Sequence, residues 1–171
     1  MIWLKRILLF LLAIIVLALV IGLFLPKTME GKASVEINKP VEEVFEYIRY
    51  LKNQDNYGVW HLSDPEMKKT FSGTDGSVGF KYSWDGKKVG KGTQTIIEIK
   101  ENQELITELD FGMGEPAKSY MSTEPNGDGK TKVSWKVVGK SPYPFNVLAI
   151  FYDMNKDLQD GLNNLKGVME K

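Results

Sequence analysis

Nineteen consecutive residues, Ile7 to Leu25 (ILLFLLAIIVLALVIGLFL), carry neither a charge nor a strongly polar side chain. As a helix this run would extend about 28 Å, close to the roughly 30 Å hydrocarbon core of a bilayer. Lys5 and Arg6 precede it, whereas Lys27 and Lys32 follow it and are offset by Glu30. Basic flanks tend to stay on the cytoplasmic side. The expected topology is therefore single-pass: amino terminus in the cytoplasm, residues 7–25 in the lipid bilayer, and the remainder periplasmic or extracellular. A cleaved signal peptide has a shorter apolar run, about 7–15 residues, closed by a small-residue site. Gly22-Leu23-Phe24-Leu25-Pro26 offers no such site. The expected organisation is a transmembrane anchor over 1–26, a linker over 27–32 and one globular domain over 33–171.

The 145 residues after Pro26 suffice for one domain burying about 70% of its unfolded surface. Beyond the anchor, 20 basic residues face 22 acidic ones. That near-neutral balance gives no electrostatic footprint for nucleic acid. Cysteine is absent, which excludes disulfides, a thiolate nucleophile and cysteine-ligated metal.

Past the anchor, hydrophobic periodicity divides the chain into three parts. Val35 and Ile37 alternate with polar neighbours, which predicts a strand over 33–38. Pro40 stops it and suits the first turn of a helix, whose apolar face is Val44, Phe45 and Ile48. Residues 51–65 are irregular, with room for a second short helix. From Glu66 the period becomes two, and six strands are expected, over 67–71, 79–84, 91–100, 105–111, 118–124 and 131–138. Asp75-Gly76, Asp85-Gly86, Glu101-Asn102 and Asn126-Gly127-Asp128-Gly129 supply the turns of an antiparallel meander. Leu148, Phe151, Met154, Leu158, Leu162, Leu165 and Met169 then return to helical spacing. They predict one long amphipathic helix over 145–170. Gly161 inside it suggests close approach to the sheet. A curved sheet must cover its apolar face, and this helix is the element long enough to do so.

Four blocks carry a resemblance. They are Asn38-Lys39-Pro40-Val41-Glu42-Glu43-Val44-Phe45-Glu46-Tyr47-Ile48; the hairpin Gly76-Ser77-Val78-Gly79-Phe80-Lys81-Tyr82-Ser83-Trp84-Asp85-Gly86 with Val89-Gly90-Lys91-Gly92; the strand Glu104 to Phe111; and Asp153-Met154-Asn155-Lys156 with Gly161-Leu162-Asn163-Asn164-Leu165-Lys166. Together they resemble the polyketide cyclase/dehydrase-like branch of the START/Bet v 1 superfamily, also called SRPBCC. The resemblance spans roughly 33–169. It implies an α+β helix-grip fold, a curved antiparallel sheet wrapped around a long C-terminal helix, here preceded by one transmembrane helix. It also implies a cavity between sheet and helix.

Phe80, Tyr82 and Trp84 share one strand face, as do Leu105, Thr107, Leu109 and Phe111, and Val133, Trp135 and Val137. They read either as plain core or as walls of an apolar pocket with polar tips. The expected ligand-lining set is Trp60, Tyr82, Trp84, Thr95, Thr107, Phe111, Trp135, Phe151 and Met154. His61 is the single histidine. It lies in the irregular stretch and is expected to be dispensable. Gly127-Asp128-Gly129-Lys130-Thr131 lacks the first glycine and the following helix of a phosphate loop. Gly90-Lys91-Gly92 likewise opens no helix, and no His-x-x-His spacing is present. The sequence therefore motivates no catalytic residue, metal site or cofactor.

Three functions stay open at this point. The first is a membrane-anchored binding module for a small hydrophobic ligand such as a lipid, isoprenoid or polyketide-like molecule. The second is a cyclase/dehydrase-type enzyme acting on a polyketide-like substrate. The third is a structural or interaction domain with a filled core. No feature of the sequence specifies an oligomeric state.

Overall fold

The computed structural model describes residues 2–171. The chain divides into two compact units, one comprising the described residues up to Met29 with Lys140–Asp153, the other Glu30–Gly139 with Met154–Lys171.

In the first unit, helix α1 (Ile2–Phe24) exposes nearly all its side chains, and Gly22 is its buried residue. It is long and apolar enough to cross a membrane, and only 6% of its most apolar window is buried. That excludes a core helix, leaving a membrane span or a signal sequence by length and composition. The second piece of the unit contains a 3-10 helix, Phe145–Phe151, followed by extended backbone at Tyr152. Helix α4 then runs over Met154–Met169. The single helix expected over 145–170 is thus two elements. The apolar spacing does continue through the break. However, Phe145, Leu148 and Phe151 remain exposed, whereas the buried face of α4 is Met154, Leu158, Gly161, Leu162 and Leu165. Within the 3-10 helix, the Asn146 side-chain amide donates to the carbonyls of Gly22 at 2.8 Å and Leu25 at 3.2 Å.

The second unit is built on seven strands: β1 (Thr28–Ile37), β2 (Lys68–Ser72), β3 (Lys81–Gly86), β4 (Gly90–Lys100), β5 (Glu104–Asp110), β6 (Ala117–Pro125) and β7 (Thr131–Lys140). Strand β1 starts within the stretch expected to be a linker. The sheet order is β1-β7-β6-β5-β4-β3-β2, and β2 to β7 form an antiparallel meander. Turn residues take the left-handed conformations their types permit, with φ of +76° at Gly76 and +59° at Asn102. A register shift between Ile96 and Glu98 interrupts the β4–β5 ladder. Such bulges increase local bend and twist.

Helix α2 (Val41–Ile48) follows Pro40, whose carbonyl accepts the first helical bond from Val44. Glu42 and Glu43 sit in its first turn, where carboxylates complement the helix dipole. Val44, Phe45 and Ile48 are buried. The irregular stretch folds as a 3-10 helix, Leu51–Asn56, and a short helix, α3 (Val59–Ser63). Asp75 fastens the start of the former, accepting the Leu51 backbone N–H at 2.9 Å. Helix α4 lies close on the sheet at Gly161, where an added Cβ would stand 3.0 Å from the Trp135 ring.

Candidate ligand-binding site

Strand alternation places Gln94 and Ile96 of β4, Thr107 of β5, Ser119 and Met121 of β6, and Val133, Trp135 and Val137 of β7 among the buried side chains. This inner face is largely apolar; Thr123 and Thr131 are also buried on it, and a belt of four polar groups crosses its middle. The Gln94 amide nitrogen Nε2 donates to Thr107 Oγ1 at 3.0 Å. Thr107 sits directly across from Ser119 in the β5–β6 ladder, and the Trp135 indole nitrogen donates to Ser119 Oγ at 2.9 Å. Each hydroxyl accepts one bond and still carries a proton to donate. Four successive strands thus carry hydrogen-bonding groups on this buried face.

Helix α3 frames this face. Trp60 meets Trp135 of β7 edge-on, with ring centroids 6.1 Å apart. The next residue, His61, meets Tyr82 of β3 at 5.4 Å. Strands β7 and β3 are four ladder steps apart, about 19 Å in a flat sheet. Two adjacent side chains reach both only because the sheet curves, so α3 spans the concave side like a strut. Both its ends are tied. At one, Asn164 of α4 donates to the Tyr57 carbonyl at 3.2 Å. At the other, Asp64 accepts the Lys88 backbone N–H at 2.7 Å, and the Lys88 ammonium donates to the Ser63 carbonyl at 3.0 Å. The segment bearing His61 is a braced helix rather than a loose loop.

Electrostatics around His61 follow from this bracing. Burial drives its pKa down to about 4, against a smaller upward pull from the Asp55 carboxylate. The ring is neutral at pH 7, and its Nδ1 is buried without a hydrogen-bond partner. Tyr82 donates to Asp55 Oδ1 at 2.8 Å, and Lys69 pairs with the other oxygen of Asp55 at 2.8 Å. Burial, followed by the Asp55 contact, pushes the Tyr82 phenol far above its ordinary range. Tyr57 is raised by complete burial.

The expected lining residues are distributed unevenly. Trp60 and Trp135 are in contact. Tyr82, Trp84 and Phe111 form a second aromatic row, with centroids 6.3 and 5.9 Å apart. The Trp84 ring lies over Gly92, its ladder partner, leaving no space for a Cβ there. Thr107 belongs to the polar belt. Thr95 lies between the buried Gln94 and Ile96 and pairs with Lys81 and Glu108, so it occupies the opposite face of the sheet. Met154 packs on Gly31 of β1. Phe151 belongs to the first compact unit and is 83% exposed. Gln94, Ser119, Tyr57 and Asp55 were not among the expected residues. Gln94 and Ser119 do carry a signal, because each is in phase with a buried apolar residue two positions along its strand.

A concavity of about 930 Å³ lies over β1, β7 and β6, lined by Lys32, Tyr120, Ser122, Ser134, Lys136 and, of the expected set, Trp135, among others. Charged pairs such as Lys136–Glu30 at 3.3 Å border it. Ala33, Trp135 and Val138 line it beside these polar and charged groups.

The family model described as "Polyketide cyclase / dehydrase and lipid transport" matches residues 28–170. Among solved structures, norcoclaurine synthase from Thalictrum flavum in complex with dopamine and hydroxybenzaldehyde is similar, with TM-score 0.64 and 10% identity over 82% of this chain and 86% of that one. A protein from Nitrosospira multiformis gives TM-score 0.58 and 19% identity, over 82% and 96%. The Aha1 dimer structure from Colwellia psychrerythraea gives 0.59 and 12%, over 83% and 96%. These identities carry the fold alone. The curated proteins contain no match.

Proposed function

Because the chain belongs, over residues 28–170, to the polyketide cyclase/dehydrase and lipid transport family, we propose that it is a membrane-tethered binding domain for a small hydrophobic ligand. The ligand carries one or two hydrogen-bonding groups. It rests on the inner sheet face beneath α3, and α1 keeps the domain at the bilayer from which the ligand is drawn. The observation that carries this reading is the polar belt Gln94–Thr107 and Ser119–Trp135 across the largely apolar inner face. Mostly apolar sites with a few placed polar groups are the usual form of small-molecule pockets. Norcoclaurine synthase, a protein of similar fold, is solved in complex with dopamine and hydroxybenzaldehyde.

Binding is favoured over catalysis by the state of His61. An efficient general base has a pKa near the working pH, and burial holds this ring near 4. Native mass spectrometry of the full chain in detergent tests the reading. A co-purifying molecule of a few hundred daltons is expected. The double substitution Thr107→Val with Ser119→Ala should weaken its retention at least about 10-fold through the loss of two hydrogen bonds. A chain that emerges bare, and that takes up no anilinonaphthalene sulfonate probe, overturns the proposal.

The proposed topology is the single-pass one, amino terminus in the cytoplasm. Lys87 lies exposed between β3 and β4, and the chain has no cysteine of its own. Lys87→Cys should react with a membrane-impermeant maleimide in intact cells whose outer membrane, if present, is permeabilised. Labelling only after the inner membrane is broken reverses the orientation.

A further inference from the structure

Ser141 to Tyr152 (SPYPFNVLAIFY) contains no charged residue and is bounded by Lys140 and Asp153. Its apolar side chains face outward: Phe145 is 66% exposed, Leu148 61%, Ile150 55% and Phe151 83%. An exposed cluster of this size on a protein in water marks an interaction surface. The one polar side chain at its centre, Asn146, is turned inward and buried. Its amide donates to the carbonyls of Gly22, Leu25 and Pro26, at 2.8, 3.2 and 3.4 Å. The last carbonyls of a helix have no partner within it, and in hydrocarbon an unpaired carbonyl is costly. Asn146 answers that need for α1. Gly22 makes the approach possible, since a Cβ there would meet Asn146 Oδ1 at 3.2 Å and the Tyr143 ring at 3.4 Å. The Ser141 N–H also donates to the Lys27 carbonyl at 2.8 Å.

We infer that Ser141–Tyr152 is a second membrane contact, a wedge inserted into the domain-side leaflet beside the end of α1. The occupant of the exposed face is the phospholipid bilayer itself. Continuity argues for it, because the segment and α1 form one compact unit and both carry exposed apolar side chains. Depth agrees as well. Gly22 lies three residues, about 4.5 Å, inside the end of the uncharged run at Leu25. The wedge therefore sits at the boundary of headgroups and acyl chains, where interfacial segments bury about 5–10 Å of their apolar face. Tyr143 and Tyr152 are the residue type that gathers at that level. The inference rests on α1 being a span rather than a signal sequence.

The test uses the full chain reconstituted in vesicles of phosphatidylcholine and phosphatidylglycerol. Single cysteines replace Leu148, Phe151, Leu17 and Lys87 in turn, each labelled with a nitrobenzoxadiazole fluorophore. Lipid spin-labelled near the headgroup and aqueous iodide serve as opposing quenchers. Leu148→Cys and Phe151→Cys should be quenched by the lipid label at least about two-fold more than Lys87→Cys, as expected of interfacial insertion, and should be shielded from iodide. Strong iodide quenching at both positions, with Leu17→Cys protected, overturns the wedge and leaves the span intact. Shielding from both quenchers shows protein covering the face and also overturns it. Iodide access at Leu17→Cys removes the span and the wedge together.

Discussion

Trp135→Ala lowers the stability of the domain by about 3–5 kcal/mol, the range for deleting a buried large aromatic ring. The expected fall in melting temperature is about 10–15 °C for a domain of this size. The ring is 5% exposed. It touches Tyr57 and Trp60 edge-on, with centroids 6.2 and 6.1 Å away, and Gly161 of α4 lies against it with no side chain between. Deletion therefore opens a void where β7, α3 and α4 meet, and it strips Ser119 of the donor that holds it. Trp135→Phe keeps most of the packing and removes the hydrogen bond, so it should cost roughly 0.5–1.5 kcal/mol plus a smaller packing loss. Thermal and urea melts of the full chain in detergent measure both. A loss below about 1 kcal/mol for the alanine variant would place the ring at an open surface and contradict the contacts above.

Acidification from pH 7 to pH 4 weakens the fold through His61. Its pKa is near 6.5 when unfolded and about 4 when folded. Between those values the unfolded chain binds a proton that the folded chain refuses, so the free energy of unfolding falls as pH falls. The contribution is complete above pH 6.5 and is gone below pH 4. A shift of that size corresponds to about 3 kcal/mol at most, and to less for a ring that is only half-buried. Asp55, Lys69 and Tyr82 surround the imidazole. Asp55 opposes the shift and Lys69 assists it. His61→Phe keeps a ring on Tyr82 and removes the titration, so its stability should vary less between pH 7 and 4 than that of the wild type. Imidazole proton resonances should titrate well below pH 6. An ordinary midpoint near 6.5, or an identical pH slope in the variant, would show that α3 opens and hydrates the ring.

The strands were legible because alternation in a half-buried sheet is written directly in the residues, and turn pairs such as Asp75-Gly76 and Asn102 with its neighbours punctuate it. The Gly161 contact was legible for a similar reason, since a glycine inside a helix demands a packing cause. The break near Tyr152 was hidden because Leu148 and Phe151 keep the helical spacing of Leu158 and Leu162. Spacing records that side chains are apolar but not which apolar surroundings they meet. Asn146 within an apolar run just after Pro144 was the available sign. Thr95 lies on the opposite face for a different reason. Strand β4 carries threonines on one face and Gln94 on the other, and the consecutive Ile96 and Ile97 at the bulge blur the phase. The brace on α3 depends on Asp64 reaching Lys88, 24 residues away, a pairing that no local pattern encodes.

The sheet order has a consequence in time. Strand β1 has a single neighbour, β7, and lies at the opposite edge from β2, the next strand to be synthesised. Between Ile37 and the first residue of β7, Thr131, the ribosome must add 94 residues. At about 5–20 residues per second the wait is roughly 5–20 s. Throughout it β1 emerges directly behind α1 with its backbone unpaired, while the hairpins β2 to β6 can already close on local contacts. The meander is therefore free to form first, and the strand made earliest is incorporated last, once β7 has extended the sheet to meet it.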